Sequence, residues 1–237
     1  MATKNNVIEK ILLPTVKNII VVASGKGGVG KSTVSAGLAL ALARDGRKVG
    51  LMDADIYGAS IPLLTGTEGF KPLMLQVGDT PRMTPAEKWG IKIQSIAYFI
   101  EEKAAMWRGP MASNTLMQLV EQTAWGELDY LVIDLPPGTG DIQLSLFQRL
   151  NITGALVVTS PQSISVSDAA KAVELIVHEQ FKIPIMGVVE NMSWFTPVAH
   201  PGERYFVFGK GGGQRLATQF GVPLLIQIPL VMESANE

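Results

Sequence analysis

The chain has no cysteine and only two histidines, His178 and His200, in 237 residues. That excludes disulfides and thiolate metal centres, and it leaves Cys–His or Ser–His nucleophile schemes almost nothing to work with. Charge of one sign is not in excess either. The 20 Lys and Arg against 21 Asp and Glu give a net charge of -1, which provides no electrostatic footprint for nucleic acid or for an anionic membrane. No apolar run approaches the roughly 18 to 20 residues that span a bilayer, and the opening residues lack the basic, apolar and small-residue order of a signal peptide. The expectation is a soluble, cytoplasmic α/β protein with no nucleic-acid and no membrane partner.

What is present is a repeated strand-and-helix rhythm. Asn18 to Ala23 (NIIVVA) is a continuous β-branched run ending in glycines, which suits a strand buried on both faces of a parallel sheet. Val34, Leu38, Ala41 and Leu42 then recur at helical spacing up to Asp45-Gly46, where glycine can close the helix. Further strands are expected at Lys48 to Met52, Tyr130 to Ile133, Ala155 to Thr159 and Ile185 to Glu190. Helices are expected from Pro110 to Thr123, Asp141 to Leu150, Ser165 to Gln180 and around Arg215 to Phe220. This alternation predicts a doubly wound, mostly parallel sheet with helices on both faces and ligands at the carboxyl ends of the strands. Residues 54 to 100, with strand-like runs Leu73 to Val77 and Ile91 to Ile96, read as an insertion or edge hairpin, and Gly211 to Gly213 as a flexible entry to the last helix.

The chemistry concentrates in Ser24 to Thr33, SGKGGVGKST. Gly25 to Ser32 satisfies G-x-x-x-x-G-K-[ST] and sits where that motif must sit, after a buried strand and before a helix. Backbone N–H groups of Gly25, Lys26, Gly27, Gly28, Val29 and Gly30 can curl round a β-phosphate at a helix N-terminus. Lys31 reaches the β- and γ-phosphates, the Ser32 hydroxyl ligates Mg²⁺, and Thr33 lies near the α-phosphate. Carboxylates follow the next strands: Asp53 and Asp134 are expected to hold the metal through water, and Asp55 to orient the hydrolytic water. Gly138, in Leu135 to Asp141 (LPPGTGD), is expected to sense the γ-phosphate through its N–H. No N-K-x-D or T-K-x-D occurs, so adenine is favoured over guanine. Asn191, just past a strand, is either a base contact or a turn or cap residue.

Together these segments carry a resemblance. GKGGVGKST, DADIYGAS at 53 to 60, MWRGPM at 106 to 111, DYLVIDLPPGTGD at 129 to 141, TSPQ at 159 to 162, VVENMSWF at 188 to 195 and FGKGGG at 208 to 213 resemble the Mrp/ApbC group of iron-sulfur cluster carrier ATPases. These belong to the MinD/ParA class, and the likeness runs from about Val16 almost to Glu237. It implies a P-loop NTPase fold over residues 18 to 237, ATP with Mg²⁺, a homodimer with ATP at the interface, and assembly or client proteins as partners. Residues 1 to 17 are then an extension or the remnant of an upstream small domain, with Val7 to Leu13 alternatively a short helix. In that class the phosphate loop carries an extra lysine that reaches the nucleotide of the other subunit, which here is Lys26. A cation so placed makes hydrolysis conditional on dimerisation, as an arginine finger does.

The sequence departs from the family where the cargo is handled. The carriers have Cys-x-x-Cys shortly after the N-M-S segment, one pair from each subunit bridging an iron-sulfur cluster. Here the stretch is Phe195-Thr196-Pro197-Val198-Ala199-His200, with Thr196 and Ala199 in the cysteine places. The relatives also continue past the region of Pro229, which lies near the adenine in that group. A nucleotide-switched scaffold that recruits a protein, membrane or DNA partner is the alternative function, but no basic amphipathic helix or basic stripe supports it.

Overall fold

β1 (Val16–Ser24) forms as its composition dictates, and its last six residues are all buried. Its side chains alternate between two apolar cores: Ile19, Val21 and Ala23 face one, and Val22 faces the other. A strand buried on both faces can only sit in the middle of a covered sheet. The computed structural model describes residues 10–99 and 109–231, and within them β1 is the centre from which the rest is built.

The chain continues through α1 (Lys31–Arg44), β2 (Val49–Asp53), α2 (Ile61–Thr65), β3 (Met74–Val77), β4 (Thr80–Met83), β5 (Ala86–Lys88) and β6 (Ile91–Ser95). It goes on as α3 (Gly109–Gln122), β7 (Leu128–Asp134), α4 (Asp141–Arg149), β8 (Gly154–Thr159), α5 (Ser163–Val177), β9 (Ile185–Glu190), α6 (Gly212–Phe220) and β10 (Leu224–Gln227). Eight strands form one sheet in the order β10-β9-β8-β1-β7-β2-β6-β5, parallel throughout except for β5. The larger core packs Leu116 and Val120 of α3, Leu146 of α4, Val173 of α5 and Leu216 of α6 against one face. The smaller packs Ala39 of α1 and Ile61 of α2 against the other, over Leu51, Ile93 and Val132. The sheet is doubly wound, and β1 lies between β7 and β8, so the loop after β1 opens at the strands' carboxyl edge. No helix among the described residues is long and apolar enough to cross a membrane.

Three expectations are refined. Of the two readings of residues 54 to 100, the edge hairpin is found at Ile91 and the insertion is not: β6 pairs in parallel with β2 in the main sheet, and β5 folds back on it as the antiparallel edge. Among the described residues, β3 and β4 alone form a separate hairpin. Sequence alone hides this because the strand ends in Gln94 and Ser95, polar residues that are nonetheless fully buried. Residues 10 to 13 are not helical. Instead the Ile11 N–H donates to the carbonyl of Arg149 at 2.8 Å and its side chain is buried. Val7 to Glu9, Met106 to Arg108 of the MWRGPM segment and the last residues from Met232 lie outside the described residues.

The third change concerns Gly211 to Gly213, which is a packing device and not a flexible entry. Gly211 takes the left-handed conformation that caps α6 (φ 70°). A Cβ on Gly212 would lie 2.5 Å from the Pro161 carbonyl oxygen, and one on Gly213 would lie 2.7 Å from Cβ of Glu190. The missing side chains let α6 press onto the ends of β8 and β9. Gly212→Ala is therefore expected to lower the urea unfolding midpoint by the equivalent of about 1–3 kcal/mol, because the obstacle is backbone and cannot rotate away. A midpoint equal to that of the wild type would show that the helix entry is loose.

Candidate nucleotide site

The phosphate loop is clamped at both ends. At its start, a Cβ on Gly25 would lie only 2.0 Å from the backbone of Asp168, so the loop leaves β1 pressed against α5. At its end, Val29 is buried in the smaller core and its carbonyl accepts a hydrogen bond from Asn191 Nδ2 at 2.9 Å. Gly28 and Gly30 have φ of 81° and 84°, a region that favours glycine. Between the clamps, Lys26, Gly27 and Gly28 form an open crest. The carbonyl of Lys26 accepts from Ser24 Oγ at 3.1 Å, while its ammonium makes no ion pair among the described residues. It lines a cleft of about 540 Å³ together with Gly27, Gly28, Lys31, Ser32, Thr33 and Asp55.

Behind the loop, Lys31 opens α1 with its ammonium 2.8 Å from Asp134 Oδ2 and 3.9 Å from Asp55 Oδ2. Asp134 ends β7, the strand beside β1, and is fully buried. Its Oδ2 also accepts from Ser32 Oγ at 2.6 Å, and its Oδ1 from Ser35 Oγ at 2.6 Å. The structure thus brings Lys31, Ser32, Asp55 and Asp134 together. Ser35 was not singled out by sequence; it lies one helical turn after Lys31, and its hydroxyl also reaches the Lys31 carbonyl at 3.0 Å.

Asp53 has partners other than those expected of a residue in the metal's water shell. It is fully buried, its Oδ1 accepts from the Asp55 N–H at 3.2 Å, and its Oδ2 accepts from the Ile61 N–H and from Ser95 Oγ, each at 3.2 Å. It organises the loop that follows β2. Burial, and after it the negative charge of Asp134, push its carboxyl up to about 7 against the pull of those N–H donors. Burial also raises Asp55, with the Lys31 ammonium opposing. Three carboxylates, Asp53, Asp55 and Asp134, stand around Lys31, the one cation that pairs with any of them among the described residues, so the site favours further positive charge.

Gly138 is likewise engaged. Its N–H donates to the Ser24 carbonyl at 2.9 Å, and the loop around it is pinned by Gln143, whose Nε2 donates to the carbonyls of Pro136 and Gly138, both at 2.8 Å. In this conformation the glycine N–H does not point into the cleft. Gln143 gave no signal in the sequence, since a glutamine in the first turn of a helix is ordinarily a surface residue. Asn191 is buried against the loop, and a Cβ on Gly30 would meet its Nδ2 at 2.1 Å. It also borders a largely apolar hollow of about 320 Å³ between α1 and the β9–β10 edge, with Thr33, Val34, Val189 and Ile228.

A divalent cation with a polyphosphate fits the donors present. Ser32 and Asp134 supply one hydroxyl and one carboxylate, and among the described residues no cluster of three or more His, Cys, Asp or Glu could cage a metal by itself. Such a site suits an ion that keeps most of its shell as water and phosphate oxygen, as Mg²⁺ does. A cluster with thiolate ligands does not fit. Thr196 and Ala199 stand in a loop with no cysteine, and His200 is exposed, 3.6 Å from Glu203. That loop is held by antiparallel pairing of Phe195 with Tyr205 and by Arg204 stacked over Trp194 at 4.4 Å.

The chain is similar to several known proteins. An iron-sulfur cluster carrier protein of Pseudomonas fragi is 51% identical over 93% of this chain and 76% of its own length. The iron-sulfur cluster carrier protein of Escherichia coli K12 is 49% identical over 91% of this chain, which spans only 57% of that relative. A nucleotide-binding protein from Archaeoglobus fulgidus, solved in complex with ADP and with cobalt found in it, superposes with a TM-score of 0.79 at 38% identity, covering 92% of this chain and 84% of its own. The MinD protein of Pyrococcus horikoshii, at 24% identity and a TM-score of 0.59, shares the fold over 90% of this chain and 81% of its own. The family described as ParA, NUBPL iron-transfer P-loop NTPase, matches residues 15–237. With a family model matching nearly the whole described chain and relatives about half identical to it, the chain belongs to the NUBPL iron-transfer P-loop NTPase family.

Proposed function

We propose that this chain binds ATP with Mg²⁺ in the cleft above Lys31, hydrolyses it as a homodimer, and uses that cycle to assist the transfer of iron-sulfur clusters to apoproteins. The observation that carries the reading is the pairing of Lys31 with Asp134 at the foot of a glycine-rich loop. The lysine is desolvated, 6% exposed, and held by an anion at the spot where a phosphate group would be its stronger partner.

On this reading Lys31 binds the β- and γ-phosphates in place of Asp134, and the Ser32 hydroxyl and Asp134 would hold Mg²⁺. Such an ion would supply neutralisation of phosphate charge. Asp55, at the rim of the cleft, orients the attacking water, and Asp53 keeps the Asp55 loop in place. For its N–H to reach the γ-phosphate, Gly138 must leave the Ser24 carbonyl, which makes that contact a marker of the nucleotide state. Thr33 lies beside the α-phosphate, and the apolar hollow bordered by Asn191 receives the adenine. Lys26, free of ion pairs among the described residues, serves the nucleotide bound by the partner copy. Because the chain has no cysteine, the thiolates that hold the cluster are supplied by another protein in the transfer.

Two substitutions separate the lysines. Lys31→Ala is expected to abolish ATP hydrolysis and to lower stability, because removing one member of a buried pair costs about 3–5 kcal/mol. Lys26→Ala is expected to leave the melting temperature unchanged while reducing kcat by about 10³-fold, the scale of a cation supplied in trans. It is also expected to remove ATP-dependent dimerisation as read by light scattering. Phosphate release and dimerisation at wild-type levels in Lys26→Ala would refute the trans role.

The cargo reading has its own test. Anaerobic incubation of the chain alone with iron and sulfide is expected to give no thiolate-to-iron absorbance. Adding the chain with ATP to a cluster-loaded donor and an apoprotein is expected to accelerate transfer relative to ADP. Identical rates with ATP, with ADP and without the chain would remove the proposed role in cluster transfer.

A further inference from the structure

Asp134, Asp53 and Ser95 stand side by side across the carboxyl edge of the sheet. Asp53 is in register with Asp134 on β7 and with Ser95 on β6, and register partners on neighbouring parallel strands present their side chains to the same face. The row divides into two kinds of support. Asp134 rests on a cation and two hydroxyls from α1. Asp53 has no hydrogen-bonding cation among the described residues, and Ser95 is the one side chain there that donates to it, at 3.2 Å. Its other donors are the N–H groups of Asp55 and Ile61, which bracket the loop between β2 and α2. That loop carries Asp55 over the cleft.

Ser95 is itself fixed from both faces of the sheet. Its side chain is fully buried and its Oγ accepts from the Ala97 N–H at 3.2 Å, so the hydroxyl hydrogen is the part left for Asp53. The adjoining Gln94 faces the opposite core, donates to Thr123 Oγ1 at 3.0 Å, and Thr123 donates to the Leu119 carbonyl of α3 at 2.6 Å. The end of β6 is therefore tied to α3 on one side and to Asp53 on the other. A buried carboxylate that loses one of its few donors either takes up a proton or turns toward another partner, and either change loosens its hold on an N–H.

We propose that Ser95 is a positioning residue for the hydrolytic reaction: through Asp53 it holds the Asp55 and Ile61 amides, and with them the loop that sets Asp55 over the phosphate cleft. The role rests on the ATPase reading above, and it adds a residue on a strand that touches neither the phosphate loop nor the nucleotide cleft. Ser95 acts through Asp53 and the loop, so its removal affects the rate of the chemical step more than the binding of the nucleotide.

The test uses the full chain with Ser95→Ala, with Ser95→Cys as a variant that fills nearly the same volume with a weak donor, and with Ser95→Thr, which keeps the hydroxyl. Amide hydrogen exchange in the absence of nucleotide is expected to show faster exchange at Asp55 and Ile61 in the Ala and Cys variants, with the amides of β1 and α5 unchanged. Steady-state hydrolysis is expected to show kcat reduced by about ten- to a hundredfold, the effect of a small misplacement of a reacting group, with KM within about threefold of wild type. Ser95→Thr is expected to recover most of both. Unchanged exchange at Asp55 and Ile61 would overturn the strut, and faster exchange with an unchanged kcat would overturn its part in the reaction. Absence of hydrolysis by the wild-type chain would instead overturn the ATPase reading and the catalytic consequence with it, while the exchange data still decide whether the strut exists.

Discussion

The buried contact between Lys31 and Asp134 is the constraint around which the rest is arranged. Taking an ammonium and a carboxylate out of water is costly, and it is tolerated here because each is supplied with further partners: two serine hydroxyls for Asp134, and the more distant Asp55 for Lys31. The pair fixes β7 beside β1, since one partner begins the helix after β1 and the other ends β7. On the proposed function, a polyphosphate would not have to desolvate a lysine that was in water: it would exchange one anion for another around a cation already stripped of its shell, leaving the carboxylate beside the Ser32 hydroxyl.

The sheet converts this local contact into a site. Because parallel strands end in register, residues far apart in sequence form a row, and each member of the row is approached from the same face by a different element. Asp134 meets α1, while Asp53 meets the loop into α2. At the other side of β1, α5 presses on Gly25 while Asn191 at the end of β9 grips the far end of the same loop. The two halves of the sheet, which meet at β1, therefore contribute separate functions: one supplies acidic groups and the other supplies rigidity.

Much of this was legible in the sequence for a physical reason. The phosphate loop, Lys31, Ser32 and the strand-end aspartates have local signatures: a buried run, a glycine turn, a helix start. What was not legible depends on pairing between distant segments. Ser35 and Asp134 are 99 residues apart, and nothing in SAGLALAL marks that serine as a carboxylate partner. Ser95 and Gln94 look like the polar end of an edge strand until β6 is seen to lie inside the sheet. Glu190 reads as the residue that ends a strand, yet it is buried with its carboxylate between the Gly213 N–H and Gln227 Nε2, tying α6 to β10. Gly211 to Gly213 mislead in the opposite direction: three glycines suggest freedom by composition, whereas here they mark close contact.

The two clamps on the phosphate loop have a mechanical meaning. A loop gripped at Gly25 and at Val29 behaves like a staple whose legs are driven into the fold and whose bridge stands proud, and a Cβ on Gly28 at that bridge would meet nothing within 4 Å. The Lys26 backbone has little freedom left to lose, being tied further through Ser24, so a second molecule that engages its side chain is charged only for ordering the flexible stem. On the proposed function, one strand-to-helix turn would hold its own ligand from the inside and offer a cation on a fixed backbone to a second molecule on the outside.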